Sequence, residues 1–134
     1  MVQRIIRWIP AIIIMGIIYI ASSTPGFDLP DFGIMDLLAK KGGHLLGYAL
    51  LGAAYAYACK RDGLIVRSKV ILSGILIVLY ACIDEWHQSF IPGRNPSFLD
   101  IGIDIVGGFL GIVLLTWLSR FLRKTGGQAH SNRC

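Results

Sequence analysis

Charge is scarce in this chain of 134 residues: Asp, Glu, Lys and Arg make up 16% of it, while 54% is hydrophobic. Soluble domains carry about a quarter charged residues, and disordered chains are poor in apolar side chains, so both classes are excluded. Cysteine is sparse too. Cys59, Cys82 and Cys134 form no CxxC pair and no metal-ligand spacing, which argues against a disulfide framework or a structural zinc site. The 16 glycines follow no collagen-like period, and no solenoid repeat is visible. What remains is a mean hydropathy of +0.64 and uncharged runs that need lipid as their solvent.

The net charge of +5 does not point to nucleic acid. The basic residues fall in short runs between long uncharged stretches, the pattern of membrane-flanking loops. Crossing the hydrocarbon core takes about 20 helical residues, and four stretches qualify, at about 5–22, 42–60, 69–90 and 100–119. The third is free of charge only from Val70 to Ile83, so it must extend into Asp84-Glu85-Trp86-His87-Gln88; the fourth carries Asp104 inside it. Arg4 and Arg7 ahead of an apolar run ending in Ala21-Ser22-Ser23 look like a signal peptide. Three further spans follow and can use this one as a packing partner, so an uncleaved span is expected. The expected fold is therefore all-α: residues 1–134 form a single domain, a compact four-helix transmembrane bundle.

Orientation follows from counting Lys and Arg. With the N-terminus inside, the inner segments hold Arg4, Arg7, Lys60, Arg61, Arg67, Lys69, Arg120, Arg123, Lys124 and Arg133, and the outer loops only Lys40, Lys41 and Arg94. That asymmetry satisfies the positive-inside rule and puts both termini in the cytoplasm. The acidic residues segregate the other way. Asp28, Asp31, Asp36, Asp84, Glu85, Asp100 and Asp104 fall on the outer side, and Asp62 alone lies inside.

Each span carries its polar residues at the outer end, and helical spacing decides where they point. Lys41, His44, Tyr48 and Tyr55 form one stripe; Ser73, Ile77, Tyr80, Asp84 and Gln88 a second, flanked by Glu85; Asp100, Asp104, Gly107 and Gly111 a third. Ionisable groups facing lipid are expensive, so the stripes should face the bundle interior or a wet cavity. The expected cavity opens outward and is lined by His44, Tyr48, Asp84, Glu85, Gln88, Asp100 and Asp104. Gly43-xxx-Gly47 and Gly107-xxx-Gly111 should let backbones approach closely. Between the third and fourth spans, Pro92-Gly93 suits the centre of a type II turn, which would fold the loop over the bundle and bring Arg94 near the carboxylates.

The string Asp84-Glu85-Trp86-His87-Gln88-Ser89-Phe90-Ile91-Pro92-Gly93-Arg94, followed by Asp100, Asp104, Gly107 and Gly111, resembles the signature of the VanZ-like membrane proteins. That signature reads DE-x-x-Q-x-F-x-P-G-R, then D-x-x-x-[N/D]-x-x-G-x-x-x-G. Upstream, the run from Lys41 to Tyr48 is similar to the family's K-x-x-H-x-x-x-Y element, and Ser22-Ser23-Thr24-Pro25 to its Ser-Ser-x-Pro. The matches run in order through about residues 15–118. Two positions depart: Lys40 stands where the family usually has Asp, and Asp104 where Asn is common. The resemblance implies a bacterial plasma-membrane protein related to one that lowers susceptibility to the glycopeptide teicoplanin, an antibiotic acting at the outer face on lipid-linked cell-wall precursors.

Bland and sharp roles compete for the same side chains. His44 either joins its helix to Asp84 or Asp100 by a hydrogen bond, or acts as a proton shuttle or ligand. Asp84 and Glu85, adjacent at the membrane border, sit in surroundings of the kind that prepare general acids. Arg94 either clamps Asp100 or Glu85, or recognises phosphate or carboxylate in a head group. Trp86, His87 and Phe90 suit interfacial packing and anchoring. Lys41, Tyr48, Gln88, Arg94, Asp100 and Asp104 are thus candidate ligand-binding residues, and His44, Asp84 and Glu85 candidate acid/base groups. Four carboxylates offer oxygen ligands for a divalent ion, yet Arg94, Lys41 and His44 can neutralise them, so no metal and no cofactor are expected. The leading functional reading is a pocket binding a membrane lipid or lipid-linked glycan head group. The alternatives are a membrane-embedded hydrolase or transferase acting on such a head group, disfavoured by the lack of a nucleophile with a base beside it, and a proton or ion carrier using the carboxylates as relay sites.

Overall fold

Pro10 decides where the first long helix begins. It has no N–H to give Ile6, so the five-residue helix α1 (Val2–Ile6) stops there and the chain turns at Arg7 and Trp8. Helix α2 (Ile9–Ser22) then starts with proline in its first turn, where a missing donor is harmless. A computed structural model describes residues 2–25, 34–59 and 66–131. Three longer helices follow: α3 (Ile34–Ala58), α4 (Val66–Gln88) and α5 (Phe98–Ser131). The described residues form no strand, so the chain is all-α with four long helices.

Two boundaries differ from the sequence reading. Helix α3 begins at Ile34 rather than near residue 42, because Leu37 to Lys41 are good helix formers and the Gly42-Gly43 pair does not interrupt them. Helix α5 runs to Ser131 instead of ending near 119. Arginine, leucine and lysine after Thr116 favour helix whatever the solvent, so the end of the apolar run does not end the helix. Asp28, Asp31, Lys60, Arg61, Asp62, Arg133 and Cys134, used above for orientation and cysteine pairing, lie outside the described residues; Cys59 and Cys82 are free thiols.

Side-chain partners give the relative directions of the helices. Lys41 pairs with Asp100, and His44, one turn further along α3, with Asp104, one turn further along α5; the two helices are parallel. Tyr80 reaches Met15, Asp84 reaches Ser22 and His87 reaches Ser23, so α2 and α4 are parallel as well. Neighbours α2 and α3 oppose each other, since Gly47 meets Ile18 while Tyr55 meets Met15. The chain therefore goes up, down, up and down. The end of α2, the start of α3, the end of α4 and the start of α5 share one pole.

Burial is inverted relative to a water-soluble bundle. Ile12 is 63% exposed and Trp117 63%, with many other large apolar side chains also outside, while Ser22, Ser73, Asp84, Glu85, Gln88 and Asp104 are buried. An exposed apolar surface of this extent is stable only when something apolar covers it. Helix α4 and the Phe98–Leu122 part of α5 are long and apolar enough to span a membrane. Helix α2 is apolar but has 14 residues, and α3 mixes glycine, tyrosine and His44 into its sequence because it packs against all three other long helices.

The tightest seam joins α3 to α5. A Cβ on Gly107 would run into the backbone of Leu45, one on Gly111 into that of Ala49, and one on Gly52 into that of Gly108. Backbones in direct contact there accord with the expected role of Gly107-xxx-Gly111. The Gly43-xxx-Gly47 expectation is overturned. A Cβ on Gly43 would meet nothing within 4 Å, and one on Gly47 would meet only the Ile18 side chain, at 3.5 Å.

Candidate functional site

At the shared pole the turn after α4 is built as its composition suggests. Gly93 has φ 76°, and the Arg94 amide donates to the Ile91 carbonyl at 3.2 Å, closing a four-residue turn. This aims Arg94 back across the bundle, but not at a carboxylate. Its Nε donates to the Thr24 carbonyl at 3.2 Å, its Nη2 to the Ala21 carbonyl at 2.8 Å and its Nη1 to Gln88 Oε1 at 3.1 Å. The expected clamp on Asp100 or Glu85 is thus replaced by a cap on the C-terminal end of α2, whose last carbonyls have no intrahelical partner.

The two carboxylates released from Arg94 find other donors. Asp100 forms an ion pair with Lys41 at 2.5 Å. Glu85 Oε1 accepts the backbone N–H of Ser97 at 2.5 Å, fixing the residue just before α5. Lys41 was expected to neutralise one of the carboxylates, and Asp100 is the one it meets; the Glu85 contact was not expected, because a backbone amide as partner leaves no sequence signal. His44 also departs from the reading above: its Nδ1 lies 3.2 Å from Asp104 Oδ1, rather than on Asp84 or Asp100. His87 bonds Ser23 Oγ at 2.9 Å and stacks on Tyr19 with ring centroids 4.5 Å apart, an α2–α4 packing contact.

A polar network lies underneath. Asp84, 2% exposed, accepts Ser22 Oγ at 3.0 Å and Gln88 Nε2 at 2.9 Å on its Oδ2. Both donors belong to the sequence elements read as converging here, Ser22 at the end of α2 and Gln88 one turn after Asp84. Because Gln88 Oε1 takes Arg94, the amide links the loop arginine to the buried carboxylate.

Above this network a cavity of about 310 Å³ opens at the pole. Of the expected residues, it brings together Lys41, His44, Gln88, Arg94, Asp100 and Asp104 on its wall. Tyr48, Asp84 and Glu85 are not on that wall. Tyr48 and Asp84 are buried among the helices, and Glu85 is turned toward the α4–α5 connection. Lys40, Asn95 and Ile103 also line it and were not singled out; Ile103 follows Asp100 by three positions, the spacing that would have placed it on the same face. A second cavity of about 360 Å³ adjoins, lined by Lys40, His44 and Arg94 at one end and by Ile17, Ile18, Gly43 and Gly47 along the α2–α3 groove. The glycines read as a helix contact leave this groove open.

Over residues 4–119 the chain matches the family described as VanZ/LLP1. No curated protein and no solved structure matches it. The motifs that suggested the resemblance are the ones that build this pole: Asp84 to Arg94 supply the network and the turn, Lys41 to Tyr48 face Asp100 and Asp104, and Gly107 and Gly111 seat α5 on α3. The match covers most of the chain, and the protein belongs to the VanZ/LLP1 family.

Proposed function

We propose that the protein crosses the bacterial plasma membrane four times with both termini in the cytoplasm, and that its pocket, at the outer face, binds an anionic lipid or lipid-linked glycan head group. One observation carries the ligand assignment: the polar cavity and the apolar α2–α3 groove share Lys40, His44 and Arg94. A polar chamber with cationic side chains joined to an apolar slot matches a molecule with a charged head and a hydrocarbon tail. Lys41 and Asp100 at the mouth form a partly exposed pair, which is weak in itself and can yield its lysine to a phosphate. Through the family, such a ligand connects the protein to glycopeptide susceptibility at the outer face.

Native mass spectrometry of delipidated protein in detergent tests this reading. A polyprenyl phosphate and phosphatidylglycerol should be retained in preference to phosphatidylcholine, and the preference should shrink several-fold in Lys41→Gln protein. Equal retention of all three lipids removes the assignment.

The His44–Asp104 contact on the cavity wall favours one second reading, a hydrolase or transferase with the imidazole as base and the carboxylate orienting it. Release of the head group from a bound lipid phosphate, absent in His44→Gln protein, distinguishes this from binding alone.

A further inference from the structure

Below the cavity, three helices bring two carboxylates and an imidazole to one point. One possible ligand atom from each of His44 on α3, Asp84 on α4 and Asp104 on α5 lies within 4.8 Å of the other two. A metal ion with bonds of about 2.1 Å to nitrogen and oxygen spans roughly 4.2 Å between opposite ligands, so small side-chain rotations close the set.

Hydrogen bonds account for only half of each carboxylate. Asp84 Oδ2 is taken by Ser22 and Gln88, while its Oδ1 is buried without a partner. Asp104 Oδ1 faces His44, while its Oδ2 is buried without a partner, in a residue only 1% exposed. Tyr48 adds an independent sign. It is 0% exposed, it stacks against His44 with ring centroids 6.3 Å apart, and its hydroxyl is buried without a hydrogen-bond partner. Three buried oxygens with unused lone pairs call for something to fill them. Two cations on the cavity wall are engaged elsewhere: Lys41 pairs with Asp100, and Arg94 donates to two carbonyls and Gln88.

We propose that His44, Asp84 and Asp104 form a binding site for one divalent transition-metal cation. Carboxylates alone suit magnesium, calcium and manganese, whereas imidazole suits first-row transition metals, so the mixed set selects manganese, iron or zinc. Ser22 and Gln88 hold Asp84 in place, as outer partners of metal-binding carboxylates do. The cavity provides the way in, since His44 and Asp104 are on its wall. The site goes beyond the head-group reading and stands without it.

Mn²⁺ is the probe, because it has little affinity for the thiols of Cys59, Cys82 and Cys134. Full-length protein in detergent, stripped with chelator and free of added lipid, is titrated while electron paramagnetic resonance follows free and bound ion. One ion per chain is expected, with nitrogen hyperfine coupling from an imidazole. Asp84→Asn and Asp104→Asn should weaken binding at least about 100-fold, and Ser22→Ala, which only orients Asp84, about 10- to 100-fold. These positions are buried and their substitution can disturb folding, so His44→Gln, on the cavity wall, is the second handle. In that variant the nitrogen coupling should vanish and affinity fall at least about tenfold with helical content unchanged. Wild-type protein that takes up no Mn²⁺ at millimolar concentration overturns the site. So does nitrogen coupling that survives His44→Gln, or a correctly folded Asp104→Asn protein that binds as tightly as the wild type.

Discussion

Arg94 shows how much one side chain can organise when its partners are backbone. Its guanidinium satisfies Ala21 and Thr24 carbonyls at the end of α2 and the Gln88 amide on α4, so three segments of the pole meet in one planar fork. Arg94→Ala should lower the melting temperature in detergent, with a loss of about 1–3 kcal/mol. Arg94→Lys should recover less than half of it, since a point donor cannot span acceptors set apart. Equal melting temperatures for wild type and Arg94→Ala would remove this role. Carbonyls far upstream carry no residue signature, which is why the arginine's acidic partners in the sequence reading were the wrong ones. The Lys41–Asp100 and His44–Asp104 pairs were nearer to legible. Spacings of three and four residues put each pair of side chains on one helical face, and only the pairing of faces had to come from the fold.

Among the helices, the same four-residue glycine spacing does two different jobs. Gly107 and Gly111 bring α5 onto the backbone of α3, whereas Gly43 and Gly47 leave a groove against α2. The spacing is identical, so sequence could not separate them; what does is the neighbour each meets, a backbone in one case and the tip of Ile18 in the other. Substitutions should therefore diverge. Gly111→Ala must push α3 and α5 apart or strain them, at about 1–3 kcal/mol, and should lower the melting temperature. Gly43→Leu meets open space and should leave it unchanged while blocking the groove, so that long-chain lipid retention falls several-fold and that of a short-chain phosphate stays the same. Parallel loss of both ligands would argue that the groove holds no tail. The existence and type of the long helices were readable because apolar runs and helix formers persist over many residues. Their ends were not, because α3 starts and α5 continues through charged segments that favour helix as much as the apolar ones do.

For the whole molecule, up-and-down connectivity sets the start of α2 and the far end of α5 opposite the pole that holds the pocket. Asn95, exposed on the cavity rim, reports which side that is. In a background with the native cysteines removed, Asn95→Cys should react with an impermeant maleimide in intact cells. Protection there, with reaction only in inverted vesicles, would reverse the orientation and send the pocket to the cytoplasm. The glycine seam also bears on selectivity. Because α3 and α5 already touch main chain to main chain, the two walls bearing Lys41 and His44 on one side and Asp100 and Asp104 on the other behave as the fixed jaw of a calliper. Any moving jaw has to lie outside that seam, on the side of α2 and α4, where Asp84 hangs from Ser22 and Gln88.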